Sequence, residues 1–305
     1  MSADQARVGV VGGRGVVGRE LVKLLTSHSC TELVFASSSE HPVTPAQAAA
    51  ARLDALLLAA PNGESEAWVR AIDAAARGAD LTIIDLSSDH RFDDAWVYGL
   101  PELHRPRVRG ARRIANPGCY ATGAQVGLAP FLDLLDGIPA IFGVSGYSGA
   151  GSTPSPKNDP VRLADNLLPY ALVDHTHERE IRRHLGRPVA FLPHVAPFWS
   201  GIALTLHLPL SAAARASGLD AGAMLARARD RYVGEPLIVV RSDAVEVKDA
   251  RDTPRVLVGG FAVDEAKRRA VVTVALDNLQ KGAATQAVQN LNLALGFGEL
   301  EGIPT

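Results

Sequence analysis

The amino-acid sequence predicts an α/β protein: a doubly wound parallel sheet first, then an α+β region with a mostly antiparallel sheet. Three observations lead to this. Strand and helix patterns alternate through the first half, a glycine-rich turn links the first strand to the first helix, and short β-rich segments joined by turns fill the second half.

Residues 7–11 form the first strand, apolar enough for burial on both faces, and 15–27 carry helical spacing. A second strand is predicted over 32–36, followed by an alanine-rich helix over 46–53. The run 56–60 reads as a buried parallel strand, 64–77 as a helix with Trp68, Ala71, Ile72 and Ala75 on one face, and 81–86 as the next strand. Further on, strands are predicted over 140–144, 189–192, 202–209, 237–240, 256–263 and 270–276, with a flanking helix over 222–232. The segment 281–295 predicts an amphipathic helix with Ala284, Val288, Leu291 and Leu295 on its apolar face. A loop rich in Gly, Ser and Pro over 149–159 marks the expected junction, dividing a first domain, 1–148, from a second, 149–278.

A chain of 305 residues has room for two cores, and 47% hydrophobic against 21% charged residues is the profile of a soluble globular protein. A net charge of −2 gives no global attraction to nucleic acid or to a membrane surface. The only cysteines, Cys30 and Cys119, cannot build a disulfide framework, which points to a reducing compartment. Residues 1–7 are short and polar, unlike a signal peptide, and no run approaches the roughly 18 apolar residues of a membrane span. The expectation is a cytoplasmic protein.

Residues 8–18 read VGVVGGRGVVG. Gly12, Gly15 and Gly18 are evenly spaced, and Gly13, Arg14, Gly15, Val16, Val17 and Gly18 satisfy G-x-G-x-x-G. Between a strand and a helix, such glycines let the backbone approach a pyrophosphate at the helix N-terminus. A tight packing turn is the alternative. At the end of the second strand, where an NAD site places a carboxylate for the ribose 2′-OH, stand Ser37, Ser38 and Ser39, with Glu40 only afterwards. Hydroxyls, backbone N–H groups and Arg14 suit a 2′-phosphate, so NADP(H) is the expected cofactor.

Cys119 lies in ANPGCYATGA (115–124), where turn chemistry gives way to an apolar, helix-compatible run. A thiol in the first turn of a helix faces unpaired N–H groups and the positive end of the dipole, both of which favour the nucleophilic thiolate. The alternative is a small buried hydrophobe. His175 and His177, in HTHEREIRRHL, precede Glu178 and Glu180. No third and fourth ligand at familiar spacing accompanies them, so no metal site is expected. One imidazole is instead read as an acid–base group whose tautomer Glu180 fixes. His194 is a second candidate.

Taken together, VGGRGVVG (11–18), IDLSSDHRF (84–92), YGLPEL (98–103), ANPGCYATGA, VSGYSGAG (144–151), HTHEREI (175–181), FLPHVAPFWSGI (191–202) and DNLQKGAATQAVQNLNL (277–293) resemble the N-acetyl-γ-glutamyl-phosphate reductase family. That family includes relatives acting on carrier-linked aminoadipyl or glutamyl phosphates. The resemblance runs nearly the full length. It implies NADPH-dependent reductive dephosphorylation of an acyl phosphate, in arginine biosynthesis, by a Rossmann-type domain and an α+β dimerisation domain. It also implies a homodimer or homotetramer, and a C-terminal helix, 279–300, that returns to the nucleotide domain. By position, Cys119 resembles the nucleophile and His177 the acid–base residue, supported by His175, Glu180 and Tyr170. Asn278 resembles the asparagine that holds the nicotinamide carboxamide, and Ser87 and Gly149 fall where the family lines the cofactor cleft. Tyr170, His194, Asn116 and Lys157 are assigned to the substrate side.

The chain also departs from the family. The segment 40–53 is short, Asn62 stands where a histidine is common, and Ser152 stands where an arginine is expected as phosphate anchor, leaving Lys157 or Arg162 to substitute. Cys30 matches no functional position. The run 104–113 holds Arg105, Arg107, Arg109, Arg112 and Arg113, which suits either a solvated face or the docking of an acidic carrier protein bearing the substrate. Two other readings are a non-enzymatic NADP(H)-binding regulator, against which Cys119 and His177 argue, and an aspartate-semialdehyde dehydrogenase, which HTHEREI fits poorly.

Overall fold

The computed structural model describes residues 5–75, 80–264, 266 and 268–304. The first elements are β1 (Ala6–Val11), α1 (Val16–Thr26), β2 (Thr31–Ser37), α2 (Pro45–Ala50), β3 (Ala55–Leu58), α3 (Ser65–Asp73), β4 (Thr82–Asp85), β5 (Val97–Tyr98), α4 (Pro101–Val108) and β6 (Arg113–Ala115). Next come α5 (Cys119–Leu128), β7 (Ala140–Gly146), α6 (Pro160–Leu163), β8 (Leu168–Pro169), α7 (Thr176–Leu185), β9 (Ala190–Ala196) and β10 (Ile202–Pro209). The chain finishes with α8 (Ala212–Ala216), α9 (Ala221–Arg231), β11 (Ile238–Val240), α10 (Val247–Ala250), β12 (Val256–Val263), β13 (Arg269–Leu276) and α11 (Thr285–Leu295). The C-terminal residues of the helix predicted over 64–77, 76 and 77, lie outside the described residues. Among the described residues, no helix is long and apolar enough to cross a membrane.

The chain divides into two compact units, one of Met1–Gly118 with Ala283–Thr305, the other of Cys119–Gly282. In the first unit six strands form one parallel sheet in the order β2-β1-β3-β4-β6-β5. Its central strands β1, β3 and β4 present apolar residues to both sides because both sides are covered. Val8, Val10, Leu57 and Ile84 pack with Leu21, Leu25, Val288 and Leu291 from α1 and α11, whereas Val11, Leu56, Leu58 and Ile83 pack with Ala48, Val69 and Ile72 from α2 and α3.

In the second unit seven strands form a mixed sheet in the order β11-β12-β13-β10-β7-β9-β8. Pairs β12–β13, β13–β10, β10–β7 and β9–β8 are antiparallel, and β11–β12 and β7–β9 are parallel. Helix α5 lies on one face of this sheet, and its small residues bring it close. A Cβ on Gly123 would come within 2.8 Å of the Leu204 and Leu276 side chains, and one on Gly127 would collide with Leu206 and Val274.

That contact moves the expected domain boundary. The first unit ends at Gly118, not at residue 148, because α5 and β7 belong to the second core, where Ala124, Leu128 and Ile141 pack with Leu204 and Val274. Loop 149–159 is therefore internal to the second unit. The return point is Ala283 rather than 279, since Gly282 packs on Cys119.

The C-terminal helix also differs from its expected amphipathic form. A π turn, Gln280–Ala284, leads into α11, and its polar residues are as buried as its apolar ones. Gln286 and Asn290 donate to the Gly99 carbonyl at 2.8 and 2.9 Å, and Asn292 donates to the carbonyls of Glu299 (3.1 Å) and Glu301 (2.8 Å). Buried amides persist because their partners are in place.

Candidate active site

The glycine turn of the first unit sits at the carboxyl end of β1, at the point where the strand order reverses between β1 and β3. Ligands of open α/β sheets bind in that crevice. Gly12 has φ +78°, and a Cβ there would strike the Ala59 carbonyl after β3. A Cβ on Gly13 would lie 2.8 Å from the Ala36 methyl, and one on Gly18 would collide with the Gly12 carbonyl. Side chains would fill this cradle, so the glycines are sterically required. Gly15 is the N-cap of α1 and supplies no side-chain cap; the first turn, which includes Val16 and Val17, holds no acidic residue. The N–H groups there suit an anion such as a pyrophosphate.

Around the end of β2 the expected hydroxyl cluster is only partly available. Ser37 is buried, and its Oγ accepts the Val43 N–H at 2.9 Å. Ser38 Oγ accepts the His41 N–H at 3.2 Å, and Ser39 is exposed. Arg14 is ion-paired with Glu40, and both side chains are more than half exposed. A cation thus stands beside the turn, shared with the carboxylate that follows the serines.

Asp85, fully buried at the end of β4, is a hub that sequence reasoning missed. It accepts from Ser65 Oγ (2.8 Å), the Ser87 N–H (2.9 Å), Ser87 Oγ (2.9 Å) and His90 Nδ1 (2.7 Å), whose ring stacks on Trp96. Burial raises the Asp85 carboxyl, but His90 and the serine donors outweigh it and hold it below the usual range. Asn62 Oδ1 accepts the Ser88 N–H at 3.0 Å, and Asp89 accepts those of Gly63 (2.8 Å) and Ser65 (3.1 Å). The loops after β3 and β4 are thereby stapled together, with Ser87 fixed between them.

In the second unit, Cys119 is the first residue of α5, partly buried and outside any disulfide. Its neighbour Tyr120 is buried and donates to the His194 carbonyl at 2.7 Å. The Tyr120 ring packs edge-on against His177 (5.8 Å between centroids) and Phe191 (4.9 Å). His175 and His177 lie 4.9 Å apart, with Tyr170 5.4 Å from His175. Helix α7, which carries His177, packs against α5. Glu180, fully buried, sits three residues beyond His177 on the same side of α7. Cys119, His177, His175 and Tyr170 therefore share one neighbourhood, with Tyr120 and Phe191 as members the sequence did not reveal, and Glu180 is buried on the same side of α7 as His177.

The two histidines are not equivalent. His175 is the N-cap of α7, and its Nδ1 accepts the His177 N–H at 3.0 Å. That nitrogen must be unprotonated. Burial first, then the charges of Lys157 and Arg179, lower the His175 pKa to about 4. His175 is thus a neutral cap. Burial, and next the Cys119 charge, push the Tyr170 phenol up, and Tyr120 shifts the same way mainly through burial. Both phenols stay protonated beside the thiol.

Gly282 abuts the cysteine: a Cβ there would stand 2.8 Å from Cys119 Cβ and 3.1 Å from the Asp277 carbonyl. Asp277 holds this corner by accepting from Leu279 N (2.8 Å), Asp252 N (2.9 Å) and Ser200 Oγ (3.1 Å). Asn278 accepts from Gly201 N (2.7 Å) and donates to Ser148 Oγ (2.9 Å). Among the described residues, one lone pair and one N–H of its amide have no further partner. Gly149 adjoins it, since a Cβ there would lie 3.7 Å from Asn278 Nδ2.

Three expected roles change. His194 points to the opposite face of β9 from Phe191, beside Phe142 (4.6 Å) and with Nδ1 3.1 Å from the Leu192 carbonyl, because strand residues alternate. It does not join the Cys119 cluster. Asn116 is a buried brace in the first unit: its Nδ2 donates to Ala283 O (3.3 Å), and its Oδ1 accepts from Asn290 (3.0 Å). The basic run is largely used internally. Arg105 forms a bidentate pair with Glu299, Arg112 donates to Asp80 O (2.6 Å), and Arg113 to Leu81 O (2.8 Å) and Asp73. Arg107 and Arg109 are exposed and show no such anchor among the described residues, so less of the run is available to a carrier-docking face than its sequence suggests.

Residues 7–111 match the family described as "Semialdehyde dehydrogenase, NAD binding domain", and residues 119–278 match "Semialdehyde dehydrogenase, dimerisation domain". The chain is 48% identical to the N-acetyl-gamma-glutamyl-phosphate reductase of Xanthomonas campestris pv. campestris, over 99% of this chain and 100% of that protein. It is 46% identical to Protein arg11, mitochondrial, of Schizosaccharomyces pombe, over 99% of this chain but 36% of that protein. Aspartate semialdehyde dehydrogenase II from Vibrio cholerae superposes with a TM-score of 0.75 at 22% identity, covering 96% of this chain and 99% of that one, and so shares the fold. The first unit is accordingly an NAD(P)-binding domain, and its glycine cradle fits that cofactor.

Proposed function

Because the chain belongs to the N-acetyl-γ-glutamyl-phosphate reductase family of NAD(P)-dependent oxidoreductases, we propose that it reduces N-acetyl-γ-glutamyl phosphate to the semialdehyde with NADPH, releasing phosphate. The observation that carries this reading is Cys119 at the N-terminus of α5, with His177 presented by the helix packed against it.

Cys119 attacks the acyl carbon as the thiolate, the C–O bond to phosphate breaks, and a thioester forms on Sγ. The helix N-terminus favours that thiolate. Bound NADPH supplies the hydride that reduces the acyl carbon. His177 then serves the resulting thiohemiacetal oxygen: as imidazolium it stabilises the oxyanion, and as imidazole it takes the proton back when the C–S bond breaks and semialdehyde leaves. Glu180 orients His177, and His175 holds the turn that carries it. Asn278 offers its remaining amide positions to the nicotinamide carboxamide. The preference for NADP(H) over NAD(H) is supported by Arg14 and by β2 ending in serine rather than a carboxylate.

Self-association is supported by the second unit. The sheet face opposite α5 leaves Phe142 and Leu192 more than a third exposed beside His194, a face that a second copy would cover. A thiol nucleophile needs a reducing compartment, and the cytoplasm is the proposed location.

The test runs the reaction in reverse: NADP+ reduction by N-acetylglutamate semialdehyde, which must require inorganic phosphate. Phosphate-dependent NADPH formation that disappears in Cys119→Ser is the expected result. Activity with aspartate semialdehyde alone would overturn the substrate assignment.

A further inference from the structure

Lys157 lies in the second unit, on the loop that the glycine-rich turn at Gly151 begins. Its Nζ stands 4.9 Å from the centre of the Tyr170 ring, and that ring meets His175, which meets His177. The loop is held in one shape by a single amide. Asn158 Oδ1 accepts from Ser155 N (2.7 Å) and Ser155 Oγ (3.2 Å), while Nδ2 donates to Gly151 O (3.0 Å) and Thr153 O (2.8 Å). All four hydrogen-bonding positions of that side chain are used, so Lys157 is presented by a built platform.

Among the described residues, Lys157 has no carboxylate partner and lies over the Tyr170 face. The nearest acid in sequence, Asp159, caps α6, its Oδ1 accepting from Val161 N (2.9 Å) and Arg162 N (3.4 Å). Glu178 accepts from Phe191 N at 2.9 Å. Arg179, the other cation acting on His175, adds to the same positive field, and that field reaches the histidine pair. Arg162, by contrast, is exposed on α6.

A thiolate and a doubly charged acyl phosphate repel each other, so their encounter requires a cation close by. We propose that Lys157 is the anion anchor of the Cys119 site, binding either the phosphate or the free carboxylate of the substrate. This assignment rests on the reading that Cys119 takes the acyl group.

The test is Lys157→Met, which keeps the apolar stem over Tyr170 and removes the charge, assayed in the reverse direction. Losing a charge-assisted contact raises a KM by about tenfold or more. A rise in the phosphate KM alone identifies the phosphate as the anchored group. A rise in the semialdehyde KM alone identifies the carboxylate. Lys157→Arg restores most of either loss. A parallel measurement needs no turnover: inorganic phosphate or N-acetylglutamate should slow alkylation of Cys119 in the wild type and not in Lys157→Met. Protection that depends on Lys157 without wild-type turnover would sink the substrate reading and leave the anchor standing. Unchanged KM values together with unchanged protection would overturn the anchor.

Discussion

His175 accepts the backbone N–H of His177 through Nδ1 at 3.0 Å, so one histidine of the pair fixes the main chain of the other. Asparagine is also a good N-cap. His175→Asn should therefore keep turnover and its pH profile, whereas His175→Ala should lose about 1 kcal/mol of stability with the cap. His177→Asn should lower kcat by about 10²- to 10⁴-fold. Equal damage from His175→Asn and His177→Asn would return His175 to proton transfer.

The same pair makes a statement about pH. The folded-state pKa of His175, about 4, lies below its ordinary value of 6.5. The unfolded chain thus binds the extra proton first as pH falls, and stability is lost between those two values. Thermal melts from pH 7 down to pH 4 should show a decline that is shallower in His175→Asn. Parallel curves would contradict the neutral cap.

Gly282→Ala introduces a methyl that would stand 2.8 Å from Cys119 Cβ. A shift of the nucleophile by a fraction of an ångström to one ångström should cost about 10²-fold in kcat/KM. NADPH affinity, followed by cofactor fluorescence, should stay near wild type. Full activity in this variant would show that the corner yields freely.

Asp85→Asn places N–H donors where Ser65, Ser87 and His90 already donate. Urea unfolding should report a loss of about 2–3 kcal/mol, the cost of buried donors without an acceptor. Weaker NADPH binding should accompany it, because Ser87 loses its anchor.

Arg14→Ala should narrow the preference for NADPH over NADH by about three- to tenfold, the range for an exposed charge-assisted contact. Glu40→Gln, which releases Arg14 from its ion pair, should widen it. Titration of both cofactors against each variant gives the ratio directly.

Much of this was legible in the residues. Strand β3 is a continuous apolar run, and β1 and β4 carry apolar residues on both sides through their middles, because both sheet faces are covered, and the glycine turn declares itself through its strand–helix context. The segment 97–115 was opaque: β5 and β6 are two and three residues long, and α4 is kinked at His104 ahead of Pro106. The domain boundary was misplaced because Gly, Ser and Pro mark loops, whereas the true boundary depends on the packing of Gly123 and Gly127 against the sheet. The cluster around Cys119 is recognisable in Cys119 and His177, but Phe191 and Gly282 join it only through tertiary contacts, as does the packing of the Tyr120 ring on His177. Strand alternation along β9 separates His194 from them.

Every step of the proposed reaction passes through an acyl group carried on Cys119. Intact-mass spectrometry after mixing the enzyme with N-acetyl-γ-glutamyl phosphate, without NADPH, tests it most directly. One acyl group per chain is expected, mapped to Cys119, discharged when NADPH is added and absent in Cys119→Ala. An adduct on another residue, or turnover that persists in Cys119→Ala, would contradict it.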